Sequence, residues 1–575
     1  MNTVLMKNVQ QWLKWDCDLT TKNELQVLID NGNEAELMSR FSGRLAFGTA
    51  GLRGKVGAGP MRMNRLVVQQ TSAGLGMYLM QQIEHVKKKG VIIGYDGRHD
   101  SKQFAEDAAN VLLAIGIKVY LTNHTAPTPL VAFGVLHLKA AAGIVVTASH
   151  NPPQYNGYKV YWENGAQIIA PHDSGIATCI AKVAMKPVLM QSAQAEQEEN
   201  LLISLQKGFY QAYRDAVLQL PELDNHTQAK RVSIAYTAMH GVGADIAESL
   251  LHEAGFTAVY SVQAQREPDG NFPTVNFPNP EEKGAMDLVI EEAKKHQAML
   301  ACANDPDADR FAVAIRHEDG EYHMLTGDQV GVLLGHYLLS FSSPNQRLIC
   351  TTIVSSSLLA KITADFHGHC CITLTGFKWL MNVAMAESHP ERQFLFAYEE
   401  ALGYCIGDTV KDKDGLSALL AFAQLTAELI NQGQTIWDRL YHIYEKYGFH
   451  LNEQVNIAIQ ENTPNIGDYL REHRPEKIAN LAVLSIDDLN MSRRFNADGS
   501  TELLSLPVSD VLIYQLDKGA CVIVRPSGTE PKVKCYYEIV EPLRLNESLA
   551  KVESRAKANM ATLIQEHQAS LPELT

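Results

Sequence analysis

The sequence predicts an α/β protein with three repeated α/β domains, followed by a C-terminal α+β domain. The chain has 575 residues, which is too long for one hydrophobic core and suggests about four domains of roughly 150 residues each. A pattern of strand, polar loop, helix, glycine and strand occurs three times, as expected for βαβ units. The segment after the third repeat has a different pattern, with strand-like runs and one closing helix.

The three repeats share one order of elements. In the first, at 91–120, an apolar run leads through a polar loop and a helical stretch to Gly116 and a second apolar run. The second repeat, at 232–260, has about the same length, and the third, at 348–374, is fainter. Each unit therefore predicts two neighbouring parallel strands joined by a helix.

The C-terminal segment predicts a domain of another kind. A helical stretch at 549–565 follows strand-like runs at 455–459, 511–515, 520–524 and 533–539. Strands in succession followed by a helix are typical of an α+β domain.

We place the domain boundaries by these patterns. The Gln-, Glu- and Ala-rich stretch 185–200 predicts a polar helix or linker near the end of the first domain. The predicted domains are 1–205, 206–325, 326–453 and 454–575.

The composition is that of a soluble globular protein, with 46% hydrophobic and 20% charged residues. The formal net charge of −15 repels polyanions, so nucleic acid and acidic membranes are disfavoured as partners. No signal peptide is visible, and the most apolar stretch, 416–430, is interrupted by polar residues. The nine scattered cysteines indicate reduced thiols. We therefore expect a cytoplasmic protein.

The first candidate site follows the apolar run 143–146. Ser149 and His150 follow it after two residues, and Lys159 lies a little further along the chain. A serine at a strand end beside an imidazole and an amine could act as a nucleophile. The alternative is an ordinary turn formed by Ser, Asn and Pro.

The second candidate site has three alternating carboxylates. Asp305, Asp307 and Asp309 offer hard oxygen ligands that suit Mg²⁺ or Ca²⁺. An EF-hand is excluded because Arg310 stands at its glycine position and Arg316 at its glutamate position. The alternative to a metal site is a solvated acidic loop.

Three further clusters follow strand-like runs. The turn 525–532 combines arginine, hydroxyls, glycine and lysine, which is an inventory for clamping a phosphate, although a plain hairpin turn is the alternative. The adjacent Glu399 and Glu400 could accept hydrogen bonds from sugar hydroxyls or could simply be surface charge. The turn at Gly376 carries Lys378.

Two other loops could approach an anion. The glycine-rich stretch 47–55 contains Arg53. His240 lies in a loop that imitates a dinucleotide fingerprint, but Ile246 replaces the last glycine, so we discount NAD binding. His240 itself is either a site residue or an ordinary loop histidine.

Together these clusters describe phosphoryl transfer on a phosphorylated polyol. The sequence contains no Gly-x4-Gly-Lys-Ser/Thr loop for a nucleoside triphosphate. The phosphoryl group would therefore be donated by the enzyme itself.

The motifs resemble those of the α-D-phosphohexomutases, the phosphoglucomutases and phosphomannomutases. Five motifs occur in that family's order along nearly the whole chain: 147–152, 305–310, 376–378, 399–400 and 525–529. The resemblance implies four domains around a central cleft, three with mixed-sheet α/β folds and the fourth α+β.

The resemblance also implies a role for each candidate residue. Ser149 would be the phosphoserine, and with Asp305, Asp307 and Asp309 it would hold Mg²⁺. A sugar 1,6-bisphosphate would be the intermediate and activator. The residues implied to contact substrate are Arg53, Arg310, Gly376, Glu399, Glu400, Arg525, Ser527, Gly528, Thr529 and Lys532. By residue type, His150, Lys159, His240 and Lys378 are all candidates for general acid or base, and the sequence does not choose among them.

The chain departs from the commoner bacterial pattern of this family at two places, and there it resembles the phosphoglucomutase 2-like subgroup. Ala401 follows the carboxylate pair, and the metal loop at 305–309 contains no glycine. Our leading hypothesis is interconversion of α-D-glucose 1-phosphate and glucose 6-phosphate, with mannose and pentose phosphates as close alternatives. A sugar phosphatase and a non-catalytic sugar-phosphate binder remain as rival classes. We expect small phosphorylated sugars as partners and a monomer or weak homodimer.

Overall fold

The computed structural model describes residues 3–48, 51–190, 200–223, 231–458, 466–526 and 532–571. Over these residues it contains three mixed α/β sheets and a fourth, antiparallel sheet with helices. The predicted fold class is confirmed.

The first sheet has the strand order β1-β5-β4-β2-β3-β6. Strands β4, β2, β3 and β6 run parallel, while β1 and β5 are antiparallel additions at one side. Strands β2 and β4 are buried along their whole length, as expected for parallel strands covered by helices. The elements are α1 (Thr3–Trp15), α2 (Leu19–Asp30), α3 (Glu34–Phe41), β1 (Leu52–Lys55), α4 (Arg65–Gln82), α5 (Val86–Lys89), β2 (Val91–Tyr95), α6 (Ser101–Ala114), β3 (Val119–Thr122), α7 (Thr128–His137), β4 (Ala142–Val146), β5 (Tyr155–Trp162), α8 (His172–Val183) and β6 (Leu202–Leu205).

The second sheet has the order β11-β10-β9-β7-β8, with a parallel half (β9, β7, β8) and an antiparallel half. It contains the second sequence repeat in β7, the following helix and β8. The elements are α9 (Lys207–Leu218), a 3₁₀ turn (Pro221–Leu223), β7 (Ser233–Thr237), α10 (Ala244–Glu253), β8 (Ala258–Ser261), α11 (Gln263–Arg266), α12 (Asp287–His296), β9 (Leu300–Asn304), β10 (Phe311–Arg316) and β11 (Tyr322–Met324).

The third sheet has the order β13-β12-β14-β15, in which only β15 is antiparallel to its neighbour. The elements are α13 (Gly327–Phe341), β12 (Leu348–Thr352), α14 (Leu358–Asp365), β13 (His369–Thr373), α15 (Phe377–Glu387), β14 (Phe394–Glu399), β15 (Gly403–Ile406), α16 (Gly415–Asn431) and α17 (Ile436–Tyr447).

The fourth sheet is antiparallel and packs against the last helix. It contains the four predicted strands and also β17 to β20, which the sequence analysis missed. The elements are β16 (Phe449–Ala458), α18 (Ile466–Glu472), β17 (Lys477–Ile478), β18 (Leu481–Asp488), β19 (Arg493–Asn496), β20 (Thr501–Leu503), β21 (Leu512–Leu516), β22 (Cys521–Pro526), β23 (Lys532–Glu541) and α19 (Leu549–Ser570). The domain boundaries stay a prediction, and β16 crosses the one placed at 453/454. Most of the predicted linker, 191–199, lies outside the described residues.

Helix α16 explains the most apolar stretch of the sequence. Its N-cap is Asp414, which accepts hydrogen bonds from the backbone N–H groups of Leu416 and Ser417. Nearly all of its side chains are buried, because it packs on β15 of its own sheet and on β9 and β10 of the second sheet. The stretch is therefore a core helix that joins two domains. Among the described residues, no helix is both long and apolar enough to cross a membrane.

Candidate active site

Ser149 stands at the tip of the turn after β4. Its backbone is left-handed, with φ of +52°, a conformation that costs free energy for a residue with a side chain. The Ser149 N–H donates to Thr147 Oγ1 over 2.8 Å, and this hydrogen bond holds the turn. The hydroxyl oxygen lies 3.1 Å from His150 Nδ1 and donates to Asp305 Oδ2 over 2.9 Å.

A buried guanidinium supports this turn from beneath. Arg98, which follows β2, donates to the carbonyl oxygens of Ser149 at 2.6 Å, Pro152 at 2.9 Å and Tyr155 at 3.2 Å, and also to that of Asn151. Four charge-assisted hydrogen bonds to carbonyl oxygens of one loop fix its conformation. Arg98 was not predicted as a site residue, although a charged side chain three residues after a buried strand was a usable signal.

The three aspartates lie in the loop between β9 and β10 and face Ser149. All three are buried, although they belong to another domain than the serine. Lys159 Nζ lies 2.7 Å from Asp307 Oδ2 and 2.9 Å from Asp309 Oδ2. The lysine therefore balances part of the buried negative charge.

The carboxylates retain unused acceptor atoms. Asp307 Oδ1 and Asp309 Oδ1 are buried and accept no hydrogen bond from any described residue. Asp305, Asp307 and Asp309 each offer an oxygen within 4.8 Å of the others. Buried, unsatisfied carboxylate oxygens are costly without a partner, so this donor set fits a hard divalent cation.

Burial and neighbouring charges set the protonation of these groups. Burial, together with Asp307 and Asp309, raises the pKa of Asp305 well above its ordinary value. Burial alone would lower the pKa of Lys159, but Asp307 and Asp309 raise it above the ordinary value, so the amine stays charged. Burial, with Arg310 and Arg53 nearby, lowers the pKa of His150 to about 2, so its imidazole is neutral.

A cavity of about 180 Å³ opens beside Ser149 and joins three domains. It brings together most of the residues predicted from the first three domains, together with Phe377 of the 376–378 motif. It adds Gln167 and Lys413, which were not predicted. Lys413 Nζ lies 3.4 Å from Asp309 Oδ2 and 3.9 Å from Glu399 Oε1. The lining residues are Arg53, Ser149, His150, Lys159, Gln167, Asp309, Arg310, Gly376, Phe377, Lys378, Glu399 and Lys413.

The predicted carboxylate pair is divided between two cavities. Glu399 lines the cavity of Ser149, whereas Glu400 borders a neighbouring one of about 350 Å³. Glu400 accepts hydrogen bonds from Ser355 Oγ at 3.0 Å and Thr352 Oγ1 at 3.3 Å. Burial, with the charge of Glu399, raises the pKa of Glu400 to about 7.

The remaining predicted residues lie around this centre or outside the described chain. Arg525 of the fourth domain donates to Thr375 Oγ1 over 2.8 Å, beside the Gly376 turn. Lys532 begins β23, while Ser527, Gly528 and Thr529 lie outside the described residues. His240 is buried, has its Nε2 2.8 Å from Thr274 Oγ1, and does not line the cavity of Ser149.

Family models match all four parts of the chain. They are the phosphoglucomutase/phosphomannomutase alpha/beta/alpha domains I, II and III at residues 44–186, 211–320 and 326–447, and the C-terminal domain at 474–554.

Curated relatives and solved structures agree with these matches. A probable phosphoribomutase of Schizosaccharomyces pombe is 38% identical over 93% of this chain and 94% of its own. Human phosphopentomutase is 36% identical over 94% of this chain and 92% of its own. A probable phosphomannomutase of Haemophilus influenzae is 38% identical over 83% of this chain and 93% of its own. The crystal structure of parafusin, a phosphoglucomutase from Paramecium, has the same fold with a TM-score of 0.68, at 18% identity over 92% of this chain and 98% of that one. The chain therefore belongs to the phosphoglucomutase/phosphomannomutase family and is an isomerase of the phosphomutase type.

Proposed function

We propose that this enzyme interconverts α-D-glucose 1-phosphate and glucose 6-phosphate through a phosphoserine at Ser149 and a sugar 1,6-bisphosphate. One observation carries the proposal. The Ser149 hydroxyl projects from a left-handed turn and donates to Asp305, at the rim of a cavity lined by cationic side chains. A hydroxyl in that position is suited to carry a phosphoryl group to a sugar in the cavity.

The aspartate cluster is suited to hold Mg²⁺ beside the serine. Asp305, Asp307 and Asp309 would bind the ion, together with an oxygen on Ser149. When bound, Mg²⁺ offsets negative charge on a transferring phosphoryl group. Lys159 and Lys413 keep the carboxylates from repelling one another, since both amines lie within 4 Å of Asp309.

Cationic side chains would hold the phosphates of the substrate. Arg53 donates to Asn151 Oδ1 over 3.2 Å and lines the cavity next to Ser149. Arg525 lies beside the Gly376 turn on the side of the fourth domain. Two arginines at separate places are suited to bind a phosphate at either end of a sugar.

The place of Lys378 in the cavity lining, together with its burial, favours it for proton exchange with the sugar hydroxyl. Burial lowers the pKa of Lys378, which brings its amine nearer to neutrality at working pH. Lys159 is held charged between two aspartates, and His150 is held neutral beside the serine. His150 would therefore orient the Ser149 oxygen, and Lys378 would accept and return the proton.

A pentose phosphate is the second candidate substrate. The relatives named phosphoribomutase and phosphopentomutase align over more than nine-tenths of this chain. This likeness supports ribose or deoxyribose 1-phosphate, as the relative named phosphomannomutase supports mannose 1-phosphate.

The test is turnover of α-D-glucose, α-D-mannose, α-D-ribose and 2-deoxy-α-D-ribose 1-phosphates with Mg²⁺ and the matching bisphosphate. We expect the isomeric phosphate as product and the largest kcat/KM for glucose. A larger kcat/KM for a pentose 1-phosphate would make that compound the preferred substrate instead of glucose 1-phosphate. Steady release of inorganic phosphate would favour a phosphatase, and no turnover of any sugar would refute the mutase proposal.

A further inference from the structure

Three potential metal ligands meet at the edge of the third sheet, apart from the Ser149 site. His369 and Cys371 are two residues apart on β13, so their side chains lie on one face of this edge strand. Glu387 is the last residue of α15, which packs on the same strand. An imidazole nitrogen, the thiol sulfur and a carboxylate oxygen of these residues lie within 4.8 Å of one another.

A second thiol lies beside Cys371. Cys350 lies directly opposite it in the parallel pair of β12 and β13 and is fully buried. The Cys350 thiol donates a hydrogen bond to the Cys371 sulfur. Thiolate is the form in which cysteine binds metal.

The carboxylate is also held in place. Arg392 Nη2 donates to Glu387 Oε2 over 2.7 Å, and Arg392 Nε donates to the Glu387 backbone carbonyl over 3.1 Å. Outer partners of this kind orient a metal ligand and raise affinity.

We propose that His369, Cys371 and Glu387 form a zinc site that is independent of the phosphoryl-transfer site. Nitrogen, sulfur and oxygen donors in one cluster match the ligand preferences of Zn²⁺, whereas the all-oxygen aspartate cluster suits Mg²⁺. Three protein ligands leave one tetrahedral position for water. Binding displaces the Cys371 proton to solvent.

The position of the site gives it a structural consequence. Strand β13 runs from His369 to the Gly376 turn, and α15 returns from that turn to Glu387. A zinc ion would therefore tie the start of the strand to the end of the helix, opposite the turn that carries Lys378. It would stabilise the unit that presents Lys378 to the cavity.

The test is a Co²⁺ titration of the full-length, reduced and metal-stripped protein in excess Mg²⁺, which occupies the aspartates. Co²⁺ replaces Zn²⁺ in such sites, and a cobalt–thiolate bond gives a charge-transfer absorption in the near ultraviolet. We expect this absorption at one Co²⁺ per chain and its loss on adding Zn²⁺. The exposed cluster of His317, Asp319 and His323 contains no sulfur and cannot produce it.

Variants assign the ligands. Cys371→Ser should abolish the absorption, whereas Cys370→Ser, the neighbour on the opposite face of β13, should retain it. His369→Ala and Glu387→Gln should each weaken Co²⁺ binding by at least about tenfold. Losing only an outer hydrogen-bond partner of a metal ligand already costs about that much affinity, so losing the ligand itself should cost no less. Zn²⁺ should raise the melting temperature of the wild type and of Cys370→Ser but not of Cys371→Ser. Circular dichroism checks that each variant is folded.

Three results would overturn the zinc site. The first is no thiolate absorption in the folded wild type, and the second is an absorption that survives in Cys371→Ser. The third is a Cys350–Cys371 disulfide in the air-exposed protein, found by peptide mapping, together with no Co²⁺ binding after reduction, which would make the pair redox-active instead. A failed mutase assay leaves this test intact, because its readouts do not involve turnover.

Discussion

Burial controls the protonation of single side chains around the two cavities, and Glu400 gives the clearest case. Burial first, then Glu399 and Asp328, raise its pKa from 4.5 to about 7. The folded state therefore favours the neutral form. As the pH rises above about 4.5, the unfolded chain loses the Glu400 proton before the folded chain does. The free energy of unfolding is therefore highest below about pH 4.5 and falls until the pH has passed about 7.

Glu400→Gln removes this dependence, because glutamine stays neutral. We expect the free energy of unfolding of the wild type, relative to that of the variant, to fall between about pH 5 and about pH 8. Urea denaturation at both values measures it. An unchanged difference between the two proteins would show that Glu400 titrates at its ordinary pKa.

Ser149, the aspartates and Lys378 could be predicted as candidates from the sequence. Each follows a strand-like run, and ligands of α/β sheets bind beyond the carboxyl ends of the strands. Arg98 and Lys413 were not found. Their roles depend on contacts with loops distant in sequence, from 98 to 149 and from 413 to 309. The separation of Glu399 from Glu400 was also missed, although adjacent side chains at a strand end point to different sides, which was a usable signal.

At the scale of elements, helix α16 begins against the backbone of the 304–310 loop, which carries the three aspartates. A Cβ on Gly415 would lie 2.2 Å from the Arg310 carbonyl oxygen and 2.7 Å from Asn304 Nδ2. A backbone contact of that length forces the helix or the loop to move.

Gly415→Ala should therefore destabilise the fold by about 1–3 kcal/mol and lower kcat by displacing the aspartates. Gly208→Ala is the matched control, because Gly208 also lies in the first turn of a helix and has open space around it. Gly208→Ala should leave the free energy of unfolding unchanged or raise it by up to about 1 kcal/mol. Equal stabilities in thermal unfolding would contradict this account of the contact.

The βαβ repeats were predictable because buried parallel strands are continuous apolar runs. The strands β19 and β20 were not, since most of their residues are exposed or half-buried and leave no apolar pattern. Helices α1 to α3 were missed as well. A usable signal existed in α1, where the buried Leu5, Val9 and Trp12 recur at helical spacing.

At the scale of the whole molecule, the site depends on contacts between domains. Ser149 and Asp305 come from the first two domains, Lys378 from the third and Arg525 from the fourth. The chain carries a net charge of −15, yet arginines and lysines converge on this cavity. Such a local field attracts a small dianion to an acidic protein.

Arg525→Gln tests the contribution of the fourth domain. A charge-assisted contact to phosphate is worth about 1.5–3 kcal/mol, so KM for the sugar phosphate should rise by at least about tenfold. Phosphorylation of Ser149 should persist. Thr375→Val, which removes only the hydrogen-bond partner of Arg525, should change KM much less. An equal rise in both variants would mean that Arg525 acts only by joining the domains.

The central claim is that Ser149 carries the phosphoryl group. The direct measurement is intact mass with peptide mapping after incubation with glucose 1,6-bisphosphate and Mg²⁺, comparing wild type, Ser149→Ala and the exposed-serine control Ser204→Ala. We predict one phosphoryl group on Ser149 in the wild type and the control, none in Ser149→Ala, and a loss of mutase turnover in that variant of at least about 10³-fold. A phosphoryl group of the same stoichiometry in Ser149→Ala, or undiminished turnover without Ser149, would contradict the claim.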